Sequence, residues 1–181
     1  MWDPGRVQDH EERNKLVKIN VPEHIYSLIS TVMVSDVDVS EENDMKESRT
    51  ELDSHATMPV VGRNAYIISD TGRIADVNPF TPDYDSMRIS IVDAAVRYEC
   101  PYDSQMYIFV IRNALSVPSM RNNPIPPFVM RETGIRVNDT PKIQTTDPTE
   151  EDHSIYFPET DFRIPLSLWG MFSYFITSKP T

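Results

Sequence analysis

Cysteine is nearly absent: Cys100 is the only one among 181 residues. An internal disulfide is therefore excluded, and a reducing compartment suits the chain. Basic charge is also scarce, with 17 Lys and Arg against 28 Asp and Glu, a net charge of −11 and no Lys/Arg-rich run. Direct nucleic-acid binding, which rests on neutralising phosphates, is not expected from such a balance. Glycine occurs five times and proline fifteen, spread through the second half, where it favours short strands and loops over long helices. No apolar run approaches the ~20 residues that span a bilayer, so no membrane association is expected. The start, Met-Trp-Asp-Pro-Gly, does not read as a signal peptide, and a cytoplasmic location is the expectation. His10, His24, His55 and His153 are scattered and give no zinc-type spacing.

Apolar residues make up 39% of the chain, enough for one domain with a hydrophobic core or a smaller one with tails. Residues 1–50 differ from the rest and are read as an acidic, partly disordered N-terminal segment. Within them, 11–18 is charged and helix-permissive, and 21–34 is mixed apolar, opened by Pro22. Residues 35–53 hold eight acidic and two basic side chains, a composition that buries little apolar surface and reads as a solvated linker. An acidic helix capping the domain is the alternative for that stretch.

From residue 51 the pattern turns to short β-like pieces. Residues 65–68 read as a strand, Ser69-Asp70-Thr71-Gly72 as a turn, and 74–77 as the returning strand of a hairpin. Residues 78–86 read as a loop, 87–98 as a strand, 99–104 as a turn, and 106–111 as a buried strand. Pro126-Pro127 opens a short helix over 128–133, which Gly134 ends, and 135–137 is a further strand. The expected organisation is a mostly β domain over 51–142 with one short helix, followed by a C-terminal extension over 143–181.

Two aspartates invite a chemical reading. Peptide hydrolysis by paired carboxylates needs one ionised group to activate water and one protonated group to donate to the carbonyl. Close like charges cannot both ionise, so one proton is shared. A chain with room for one lobe supplies one such Asp, and the pair then requires a symmetric dimer. Asp70-Thr71-Gly72 is a competing candidate, but Arg73 follows it and its flanks are those of a turn. Asp53-Ser54-His55-Ala56 keeps a short hydroxyl residue beside the Asp and a small Ala that lets loops pack closely.

That second string resembles the catalytic Asp-Ser-Gly-Ala loop of Copia-type retrotransposon aspartic proteases, with His55 where the family has glycine. The resemblance extends through Val60-Val61-Gly62-Arg63-Asn64-Ala65 and the 110–120 block containing Asn113-Ala114-Leu115-Ser116-Val117-Pro118. Asn123-Pro124-Ile125-Pro126-Pro127-Phe128 and Gly134-Ile135-Arg136-Val137 follow in the family's order, and 164–175 fits a divergent branch. It implies a single-lobe retropepsin-like barrel that dimerises, with Asp53 from each copy as the dyad and Ser54, His55 and Ala56 supporting the loop. It also implies a flap within 87–111, a peptide or polyprotein substrate, and no cofactor. Histidine tolerates unusual backbone geometry better than most residues. His55 thus leaves three outcomes: a working enzyme, an inactive peptide-binding dimer, or a decayed element fragment.

Overall fold

A computed structural model describes residues 16–19, 47–78 and 85–181. The readings of 1–15, 20–46 and 79–84 lie outside the described residues. Twelve strands appear in chain order: β1 (Leu16–Ile19), β2 (Glu47–Leu52), β3 (Val60–Val61), β4 (Tyr66–Val77), β5 (Met87–Glu99), β6 (Met106–Ser116), β7 (Asn123–Ile125), β8 (Arg136–Asn138), β9 (Ser154–Phe157), β10 (Phe162–Pro165), β11 (Ser167–Trp169) and β12 (Phe172–Ser178). Among the described residues the one α-helix, here α1, is Pro127–Glu132.

The mostly β character with one short helix is as the sequence predicts. The expected barrel is not: the main sheet is open, running β1-β6-β5-β12-β2-β7, with β3 on β6, β4 on β5 and β11 on β12. Its end strands, β1 and β7, do not pair with each other. A second sheet, β10-β9-β8, is antiparallel.

Local chemistry explains the elements that formed as read. Pro127 supplies a fixed φ in the first turn of α1, where its missing N–H costs nothing. At the other end Gly134 takes φ +85°. Its N–H donates to Arg131 O at 3.0 Å, and the Ile135 N–H to Met130 O at 3.1 Å. This is a Schellman closure that lets Ile135 turn back into the core.

Several segments depart from the sequence reading. Residues 65–77 are not a hairpin: β4 is one strand, antiparallel to β5, with register shifts between Ile67 and Ser69 and between Asp70 and Arg73. The turn-forming Asp70-Thr71-Gly72 is taken up as a bulge, where the Gly72 N–H donates to Asp70 Oδ1 at 2.8 Å and Thr71 Oγ1 donates to Ile91 O at 2.6 Å. Residues 16–18 are strand rather than helix, in parallel pairing with β6. The end of the acidic run is β2, an inner strand and not a linker. Residues 143–181 contribute β12, which runs antiparallel to β2 and meets β5 at Ser178 and Arg97.

The two sheets meet through aromatic rings. Tyr98 of β5, Tyr107 and Phe109 of β6, Phe157 and Phe162 of the small sheet and Phe175 of β12 belong to one buried cluster. Tyr107 stacks on Phe162 at 4.0 Å between centroids and Phe109 on Phe157 at 5.6 Å. Tyr98 meets Phe175 edge-on at 5.8 Å. A smaller cluster of Met58, Val60, Val77, Ile91 and Leu115 packs where β3 joins β6. Much of 87–111 packs into this core as β5 and β6, whereas the connecting residues 101–106 and most of β4 are exposed.

Phe109 is 2% exposed and touches rings from β5, β9, β10 and β12. Phe109→Ala is expected to cost ~3–5 kcal/mol of folding stability, as large-to-small core changes of this type do. Urea unfolding of the two proteins measures it.

Candidate catalytic loop

The loop that carries Asp53 is fixed by the strand before it. Along β2, Ser48, Thr50 and Leu52 are buried, while Arg49 and Glu51 on the other face are half-buried. The inward residues are small and mostly polar, and they form a hydrogen-bonded cluster instead of a greasy one. Thr50 Oγ1 and Thr177 Oγ1 lie 2.9 Å apart, and Ser48 Oγ and Thr177 Oγ1 3.3 Å apart. The fully buried Asn123 of β7 donates from Nδ2 to both Ser48 Oγ and Thr50 Oγ1 at 3.5 Å, and its Oδ1 accepts the Gly62 N–H at 2.9 Å. One carboxamide thus ties β2, β7 and the segment after β3 together.

Gly62 has no room for a side chain: a Cβ there would lie 2.4 Å from Met120 O and 2.9 Å from Asn122 O. The same approach lets the Arg63 N–H donate to Met120 O at 2.9 Å.

Beyond Leu52 the parallel ladder with β7 continues for one more bond, from the Asp53 N–H to Ile125 O at 3.0 Å. The Asp53 side chain is 20% exposed, and its Oδ1 accepts the His55 N–H at 2.8 Å. Ser54 does not hold the carboxylate as the sequence reading has it; its Oγ lies 3.4 Å from His55 Nδ1. The imidazole is 83% exposed, with Nδ1 3.9 Å from Asp53 Oδ1. His55 is not among the residues with positive φ, so the loop forms without the backbone freedom that glycine would give. Ala56 is buried and anchors the loop's far side.

Asp70 sits elsewhere, on the exposed bulge of β4. The neighbouring Arg73 reaches across to Asn113 Oδ1 on β6. The Asp-Thr-Gly string therefore serves backbone geometry, and Thr71 is its only residue that is not exposed.

Three side chains near the loop, Glu51, Arg49 and His153, were not singled out by sequence. Glu51, two residues before Asp53 on the outward face of β2, has its pKa raised: burial is the main cause, Arg49 and an Asn122 Nδ2 hydrogen bond at 2.8 Å oppose it, and the Asp53 charge adds to it. Arg49 packs its guanidinium over Trp169, 4.5 Å from the ring centre, and over Tyr174 at 4.9 Å. The alternation of residues 48–52 is the signal that points to this face. His153 is buried with φ +53°, and its Nε2 lies 2.9 Å from Oγ of Ser173, the cross-strand partner of Leu52. Burial lowers its pKa, Lys142 lowers it further, and Asp139 acts in the opposite sense.

Among the described residues no helix is long and apolar enough to cross a membrane. Comparison of the chain with known protein families, curated proteins and solved structures finds no match.

Two measurements follow from this geometry. Gly62→Ala is expected to destabilise the fold by ~1–3 kcal/mol, the range for overpacking a filled site, read from the denaturation midpoint. Because the fold lowers the His153 pKa below its ordinary 6.5, the unfolded chain binds the extra proton first as pH falls. Its contribution to stability is full above that value and declines on acidification below it. His153→Gln is expected to flatten that part of the stability–pH curve; an unchanged slope in the variant would contradict the assignment.

Proposed function

We propose that the chain is an aspartic endopeptidase domain of a Copia-type retrotransposon polyprotein, cutting peptide bonds with Asp53 from each of two copies. The observation that supports this reading is the setting of Asp53: a partly buried carboxylate in a short loop at the end of a strand bonded along both edges. A carboxylate so held loses little freedom when it acts, which is what general acid–base catalysis requires. Asp70, the literal Asp-Thr-Gly, is exposed on a bulge and lacks that setting.

In this reading the retropepsin-like dimer brings two Asp53 carboxylates close enough to share one proton. The ionised member draws a proton from water, which attacks the peptide carbonyl, while the protonated member donates to the carbonyl oxygen. Glu51 and Arg49 lie on the same face of β2, just before Asp53 in the chain. The substrate is an extended peptide of the polyprotein, and no cofactor takes part.

His55 favours a second reading. Its ring lies 3.9 Å from Asp53 Oδ1, where the family that the loop resembles has glycine, which leaves room for a close neighbour. The chain is then a non-catalytic interaction module, or a decayed copy of the element.

Cleavage of a peptide library at mildly acid pH separates these readings. Asp53→Asn is expected to lower the rate ~10²-fold or more, the usual scale for losing an acid–base group, with Asp70→Asn close to the parent. Equal activity in the parent and Asp53→Asn, or none in either, would remove the enzyme reading. Activity gained only in His55→Gly would establish the interaction module.

A further inference from the structure

The outer face of the small sheet carries a charge pattern opposite to that of the chain. Arg136 of β8, Tyr156 of β9 and Arg163 of β10 are cross-strand partners in one row. The two guanidiniums flank the ring, 5.7 and 4.8 Å from its centre. The phenol OH donates to Asp161 Oδ1 at 2.8 Å, which fixes the ring. Arg131, from the last turn of α1, completes the walls of a cavity of about 440 Å³. Its lining holds three arginines and one carboxylate, Glu151, whereas the whole chain carries −11.

The arginines are held to different degrees. Arg131 donates to Val137 O and to Asp139 Oδ1, the latter at 3.0 Å. Arg163 donates to Ser154 Oγ at 2.9 Å, and Glu151 stands off at 3.7 Å with an 81% exposed side chain. Arg136 has the ring contact and no ion pair among the described residues. Both guanidiniums lie over Tyr156, Arg163 spends one N–H on Ser154 Oγ, and the planar fork of donors that remains suits a tetrahedral or planar oxyanion.

We propose that this cavity binds a small, soluble oxyanion of the phosphate class. Arg131 is already paired with Asp139, so Arg136 and Arg163 carry the positive charge of the site, with the 81% exposed Glu151 standing 3.7 Å from Arg163. The surrounding negative charge of the chain disfavours long polyanions such as nucleic acid. The site is separate from Asp53 and does not depend on the peptidase reading.

The test titrates the full chain with inorganic phosphate, with chloride at matched ionic strength as reference, by isothermal calorimetry and thermal unfolding. Saturable binding and an upward Tm shift beyond chloride are expected. In Arg136→Gln, a change at an exposed position, and in Arg163→Gln the Kd should weaken at least tenfold, about 1.4 kcal/mol. Arg136→Lys should retain part of the affinity, and Arg88→Gln and Asp53→Asn all of it. No binding beyond the chloride reference would overturn the proposal. So would equal binding in parent and Arg136→Gln, or binding of a polyglutamate peptide without binding of phosphate.

Discussion

The two-sided pairing of β2 is the constraint on which the remaining architecture depends. Its antiparallel partner, β12, and its parallel partner, β7, come from distant parts of the chain. With both edges satisfied, the strand's short polar side chains are enclosed and must bond to one another, which Ser48, Thr50, Thr177 and Asn123 do. Asp53 inherits its position from this arrangement, because its own N–H is the last rung of the ladder with β7. Gly62 belongs to the same constraint, since only a residue without Cβ lets the segment after β3 approach Met120.

The aromatic cluster performs the complementary task of joining two sheets that share no backbone ladder. Strand periodicity makes this possible on β9, where Ile155 and Phe157 enter the core and Tyr156 faces outward between arginines. One short strand thus serves the core on one side and a cationic cavity on the other. His153, just before that strand, reaches Ser173 and connects the small sheet to β12 by a polar contact that responds to pH.

How much of this could be read in the sequence depended on how local the cause was. The α1 helix was legible from Pro127 and Gly134, because both act through their own backbone geometry. The β5 and β6 strands were legible from apolar runs. The hairpin assigned to 65–77 failed because Asp70-Thr71-Gly72 has turn chemistry whether it ends a strand or bulges within one, and only the pairing with β5 decides. Strand β2 was concealed by acidic composition; Ser48 and Thr50 carry no hydrophobic signature, so their burial depends on Thr177 and Asn123. The expected barrel came from resemblance, and the open sheet order decides against it. The Asp53 loop was found by its letters, but its anchoring by β7 was not, since parallel neighbours leave no adjacent trace. The arginine row escaped notice because Arg136, Tyr156 and Arg163 become neighbours only through strand register.

The placement of β12 also bears on how the protein is made. Ser48 and Thr177 are separated by 129 positions yet lie in contact. While the chain emerges from a ribosome, one edge of β2 has no partner until residues 172–178 appear. Contacts this remote slow folding, because a long loop must close before it is rewarded. Until then β2 offers an open ladder to any extended segment, including the β12 of another copy. Nascent chains produced close together therefore have a route to exchange that strand, set by chain order alone.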